Sequence, residues 1–79
     1  MNIVGLVRSA ICHVMGVDKT EIFINSNLEE DLGMDDDDIE TVLGLIERKL
    51  KVDLIDFYDP SEIKTAGQLA RLIKEQVEI

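Results

Sequence analysis

The chain has one cysteine, one proline, no tryptophan, one tyrosine and two phenylalanines. A lone Cys12 cannot close an internal disulfide, so the fold must hold without one, and a reducing, cytoplasmic setting suits it. No apolar run approaches the roughly 20 residues that cross a bilayer. The first residues also lack the basic stretch and apolar core of a secretory leader. Basic charge is scarce too: eight Lys and Arg stand against seventeen Asp and Glu, for a net charge of −9. That balance argues against nucleic acid as a partner, because such binding rests on cations neutralising phosphates. It argues equally against anionic membrane surfaces. What is present is an acidic chain of 79 residues, 46% apolar and 32% charged, the size of one small domain with a thin core. Aliphatic residues run through its whole length, unlike a disordered acidic tail. With no internal repeat and no biased tract beyond Asp35–Asp38, a single domain over residues 1–79 is expected.

Ile3, Val4, Leu6, Val7, Ala10, Ile11, Val14 and Met15 recur at spacings of three and four. That period predicts an amphipathic helix from Asn2 to Met15, ended by Gly16. Residues 17–34 carry no sustained period, yet Val17, Ile22, Phe23, Ile24, Leu28 and Leu32 are apolar. They predict a long loop pinned to the core, with a short turn near Lys19–Ile22. Asp35 reads as the N-cap of a second helix whose inner face is Ile39, Val42, Leu43, Ile46 and Leu50. Carboxylates in its first turn and Arg48, Lys49 and Lys51 at its far end both suit the helix dipole. Asp59-Pro60-Ser61-Glu62 reads as the start of a short helix, and Thr65 as the cap of a last one carrying Ala66, Leu69, Ala70, Leu72, Ile73 and Val77 inward. Phe23, Phe57 and Tyr58 are expected in the core or at its edge. The fold class is all-α: three main helices, one short helix and a long first loop, forming a four-helix bundle.

The run Asp35–Asp38 has two readings. One is helix capping with solvated charge. The other is weak association of Mg²⁺ or Ca²⁺ with Glu30, Asp31, Asp35 and Asp38, since a cation would relieve the crowding of carboxylates. The run lacks the alternate acids, glycine and distal glutamate of an EF-hand loop. From Thr20 to Glu47 there are ten acids and no Lys or Arg. Such a one-sign surface suits docking to a basic protein partner through Asp35, Asp36, Asp37, Asp38, Glu40 and Glu47, although a merely solubilising face would look the same. Catalytic constellations are missing. His13 and Cys12 are adjacent, and neighbours on a helix diverge by about 100°. No phosphate loop, triad or zinc spacing occurs, so the chain is not expected to be an enzyme.

The segment Asn27-Leu28-Glu29-Glu30-Asp31-Leu32-Gly33-Met34-Asp35 resembles the loop leading into the second helix of acyl carrier proteins, loosely S-L-x-x-D-L-G-x-D-S-L-D. Leu28, Asp31, Leu32, Gly33, Asp35 and Asp38 match that pattern. Glu47, Leu50, Val52 and Leu54 are similar to the family's exit from that helix. Ile63-Lys64-Thr65 is similar to the opening of its last one. The resemblance spans nearly the whole chain and implies a four-helix carrier fold whose second helix meets basic enzyme surfaces.

The resemblance also implies a serine after the motif's aspartate, bearing phosphopantetheine, and this chain has Asp36 there and Asp37 in place of the leucine that follows. A hydroxyl is what attacks the pyrophosphate of coenzyme A, and a carboxylate would yield a labile acyl phosphate instead. Phosphopantetheine is therefore not attachable at Asp36, and Ser9, Ser26 and Ser61 lie away from the start of helix two. The expected function is a non-catalytic acidic interaction module, a monomer, linked to fatty-acid, polyketide or related lipid biosynthesis. Two alternatives stay open: a genuine carrier whose serine has been altered in this version of the chain, and a cation-responsive acidic domain.

Overall fold

A computed structural model describes residues 2–54 and 59–77. Phe57 and Tyr58 lie outside the described residues, and so does their expected place in the core. Helix α1 spans Ile3–Met15, α2 spans Asp36–Leu50 and α3 spans Ala66–Val77, with 3-10 turns at Lys19–Glu21 and Pro60–Glu62. The short helix expected after Asp59 is thus a single 3-10 turn. Ile63 must enter the core and Thr65 opens α3, which leaves room for one turn only.

The ends of the helices follow from side-chain chemistry. Asn2 accepts the Gly5 N–H at 2.9 Å through Oδ1, and Gly16 closes α1 in the left-handed region with φ 70°. Asp35 and Asp38 form a capping box: Asp35 Oδ1 accepts the Asp38 N–H at 2.9 Å and Asp38 Oδ2 the Asp35 N–H at 3.2 Å. Lys51 ends α2 with φ 57°, its N–H donating to the Glu47 carbonyl at 2.7 Å. Thr65 Oγ1 accepts the Gln68 N–H at 3.0 Å and caps α3.

The two 3-10 turns share a local chemistry. Asp18-Lys19-Thr20-Glu21-Ile22 and Asp59-Pro60-Ser61-Glu62-Ile63 each begin with an aspartate accepting both the N–H and the hydroxyl of the residue two positions on. Each ends by sending an isoleucine, Ile22 or Ile63, into the core.

Helix α1 packs on both α2 and α3, and the second 3-10 turn packs on α2. The core they enclose includes Val7, Ile11, Leu28, Met34, Val42, Leu43, Ile46, Leu54, Leu69 and Ile73. Burying each large aliphatic side chain contributes about 1.5–3 kcal/mol. Leu72 and Val77, placed inward by the sequence pattern, are half-buried against that core. Three residues expected to face the core do not: Phe23 is 66% exposed, Ile24 58% and Val4 37%.

The long loop is held by a second set of bonds to the start of α3. The Leu28 N–H donates to the Lys64 carbonyl at 2.9 Å, and the N–H groups of Ala66 and Gly67 donate to the carbonyls of Ser26 and Ile24 at 3.2 and 2.9 Å. Asn27 and Thr65 face each other there as an isolated antiparallel bridge. Helix α3 therefore receives its first partners from a loop far away in sequence, which satisfies N–H groups that a helix start otherwise leaves open.

Candidate functional site: the acidic face at the start of helix α2

Between Asn27 and Asp35 the chain makes a compact turn in which polar side chains serve the backbone. Asn27 Oδ1 accepts the N–H groups of Glu29 and Glu30 at 3.0 and 2.8 Å, and Asp31 Oδ2 accepts the Asn27 N–H at 2.7 Å. Gly33, at φ 68°, turns the chain in a region that residues with a Cβ rarely adopt, and Met34 then drops into the core. This arrangement sets where α2 begins, and so which carboxylates stand at its first turn.

Those carboxylates separate into two groups. Asp35, Asp36, Asp37 and Glu40 are exposed. Asp36 and Asp37 line one open hollow of about 530 Å³ together with Glu29, Gly33, Met34 and Asp35. Asp37 also borders a second, of about 470 Å³, with Glu40, Thr41, Gly44 and Arg48. Asp38 and Glu47 are instead half-buried. Asp38 is held in the capping box, and a Glu47 carboxylate oxygen accepts the Leu54 N–H at 2.6 Å. The expectation that Glu47 stands free on the docking face is corrected: its side chain turns inward to satisfy the chain leaving α2. The surface is also not of one sign throughout, because Arg48 joins the second hollow.

The expected cation ligands are not brought together. Among the described residues no three His, Cys, Asp or Glu side chains form a group able to hold a metal ion. The physical reason is visible at three of the four positions: Asp31, Asp35 and Asp38 each spend a carboxylate oxygen on a backbone N–H. Asp18 and Asp59, outside this face, have their carboxyl groups held below the usual range. The largest cause is the N–H each accepts, from Thr20 and Ser61 respectively, followed by the hydroxyl of that same residue.

Asp36 shares a narrow hollow between α2 and the second 3-10 turn with Pro60, Ser61 and Lys64. The hydroxyl of Ser61 is engaged, donating to Asp59 Oδ1 at 2.8 Å. The only sequence signal for this placement is the pair of N-caps, Asp35 and Asp59, which gives each turn's start but not their approach.

Three helices, with an acidic turn leading into the second, make a small all-α bundle. No family model matches the chain. Compared with curated proteins, it is 30% identical over 74 residues to the acyl carrier protein of Chlamydia caviae, a match covering 94% of this chain and 95% of that protein. The chain belongs to the acyl carrier protein family. No helix among the described residues is long and apolar enough to cross a membrane.

Proposed function

We propose that this member of the family works without a phosphopantetheine arm, as a cytoplasmic, monomeric and non-catalytic adaptor that offers the start of α2 to a basic surface of an enzyme in fatty-acid, polyketide or related lipid biosynthesis. The observation that carries the reading is Asp36. It is the first residue of α2, exposed, and flanked by the exposed carboxylates Asp35 and Asp37. A carboxylate there cannot make the stable phosphodiester that a serine hydroxyl makes with coenzyme A, so the residues present do not fit the arm. The same three acids, with Glu40, concentrate negative charge where a helix start most favours it, and such a field speeds encounter with a cationic surface.

The test is mass spectrometry after incubation with coenzyme A and a broad-specificity phosphopantetheinyl transferase. The mass is expected to stay unchanged, and a gain of one phosphopantetheine group would overturn the reading. Asp36→Ser alone should be modified poorly, because Asp37 still faces the transferase. Asp36→Ser with Asp37→Leu should be modified more completely.

A further inference from the structure

Between the start of α1 and the exposed face of α3, the chemistry reverses. Among the described residues Val4, Phe23 and Ile24 are the large apolar ones most open to solvent, at 37%, 66% and 58%. Their display is built rather than incidental. The turn that carries Phe23 and Ile24 is closed by the Ser26 N–H donating to the Phe23 carbonyl at 2.9 Å and the Phe23 N–H donating to Ser26 Oγ at 2.8 Å. It is then fastened to α3 through Gly67, which lies so close that a Cβ there would run into Ile24 Cγ2.

Beside this turn runs a groove of about 280 Å³ lined by Ile3, Val4, Ile24, Gly67 and Ala70 together with Arg71 and Lys74. A neighbouring hollow of about 310 Å³ continues it across Val4 and Ile24 to Phe23 and Arg8. Arg8 Nη2 donates to the Lys19 carbonyl at 2.7 Å, while its buried Nε has no partner among the described residues. No Asp or Glu among the described residues lines either hollow, in a chain with seventeen of them. Gly67, Ala70, Arg71 and Lys74 follow the i, i+3, i+4, i+7 spacing of one helix face. Small residues thus make the dry end of the groove and cations the other.

We infer that this groove binds a free aliphatic carboxylate, with its tail against Ile3, Val4, Ile24 and Ala70 and its head at Arg71. A dry trough with cations at one end matches an amphiphile carrying a single negative head. The net charge of −9 selects among anionic partners. A polyanionic protein or an anionic bilayer meets repulsion from the whole chain, and a single carboxylate meets less of it. The inference is independent of how α2 docks and of whether position 36 is modified.

The experiment is titration of the ¹⁵N-labelled full chain with sodium octanoate, with 1-octanol as the neutral control and phosphatidylglycerol vesicles as the lipid-surface control. Saturable shifts are expected at Val4, Ile24, Gly67, Ala70 and Arg71, with octanol binding more weakly and vesicles leaving the spectrum unchanged. Arg71→Glu, at an exposed position, should keep the circular dichroism spectrum and weaken octanoate about tenfold, while Arg71→Lys largely retains it. Shifts centred on the α2 side of the core, equal binding of octanol, equal affinity in Arg71→Glu, or preference for the vesicles would each overturn the assignment.

Discussion

Glu47 accepts the backbone N–H of Leu54 at 2.6 Å, joining the last turn of α2 to a residue that is 0% exposed. Its own carbonyl accepts the N–H groups of Lys51 and Val52 at 2.7 and 3.3 Å, so one residue holds the exit from α2 through both side chain and backbone. Removing the carboxylate strands the Leu54 donor. Glu47→Ala should cost about 1.5–3 kcal/mol, as for hydrogen bonds to charged groups. Each kcal/mol should lower the melting temperature by about 4–8 °C in a domain of this size. Glu47→Gln, which keeps an acceptor, should recover part of it. Thermal unfolding followed by circular dichroism reads both.

The exposed acids should behave in the opposite way. Glu40→Lys is expected to change stability by no more than about 0.5 kcal/mol. Asp37→Lys, in the first turn of α2, should cost a further 0.3–1 kcal/mol or so from the helix dipole. Both should slow association with a basic partner enzyme, and added salt should slow the parent chain in the same way. Stopped-flow association rates across a salt series check this. Rates that ignore both substitutions and ionic strength would make the face a solubilising surface only. Leu43→Ala or Ile46→Ala should instead cost roughly 2–5 kcal/mol, enough to unfold so small a domain.

Acid should loosen the two 3-10 turns together. Asp18 and Asp59 have carboxyl groups lowered from the unperturbed value of 3.8, chiefly by the N–H groups of Thr20 and Ser61. A group lowered on folding lends stability that is complete above its unfolded value and is lost as pH falls through the folded one. The loss therefore begins near pH 3.8 and grows below it. Asp18→Asn with Asp59→Asn should flatten the pH dependence of stability in that window while leaving the region above pH 5 or so nearly parallel to the parent. Denaturant unfolding at a series of pH values tests it.

Gly67→Ala is expected to be costly although alanine favours helices. Its Cβ would run into Ile24 Cγ2 and lie 2.9 Å from the Ile24 carbonyl oxygen, and the latter is backbone. The turn must shift or the Gly67–Ile24 bond must break, at a cost of about 1–3 kcal/mol typical of overpacking. Gly5→Ala makes the contrast, since the atoms nearest its Cβ belong to the side chain of Asn2. Melting temperatures of the two variants should separate.

The helices were legible because period and caps agree. Asp35, Asp59, Thr65 and Gly16 mark ends with residue types that have a mechanism for doing so. What the sequence concealed depends on where distant chain segments come to lie. Glu47 reads as a surface acid until the path of Lys51–Leu54 is known. Asp31 reads as a cation ligand until Asn27 turns its N–H toward it. Phe23 reads as core because of its ring, yet the Ser26 hydroxyl and the close approach at Gly67 fix a turn that leaves it outside. At the candidate site, the identity of Asp36 and its place at the helix start were readable. Its neighbours Ser61 and Lys64 were not, because they arrive from the other end of the chain.

The bonds between the long loop and the start of α3 have a kinetic consequence. Ala66 and Gly67 find their acceptors at Ser26 and Ile24, and Leu28 finds its own at Lys64, so neither segment is complete while the other is loose. An isolated peptide of α3 should fray from its first turn, and in the folding chain that turn should close late, after loop residues from the first half have collapsed onto α1. The amides of Leu28, Ala66 and Gly67 should therefore exchange with deuterium at one common rate, set by a single opening event shared between two distant stretches of chain.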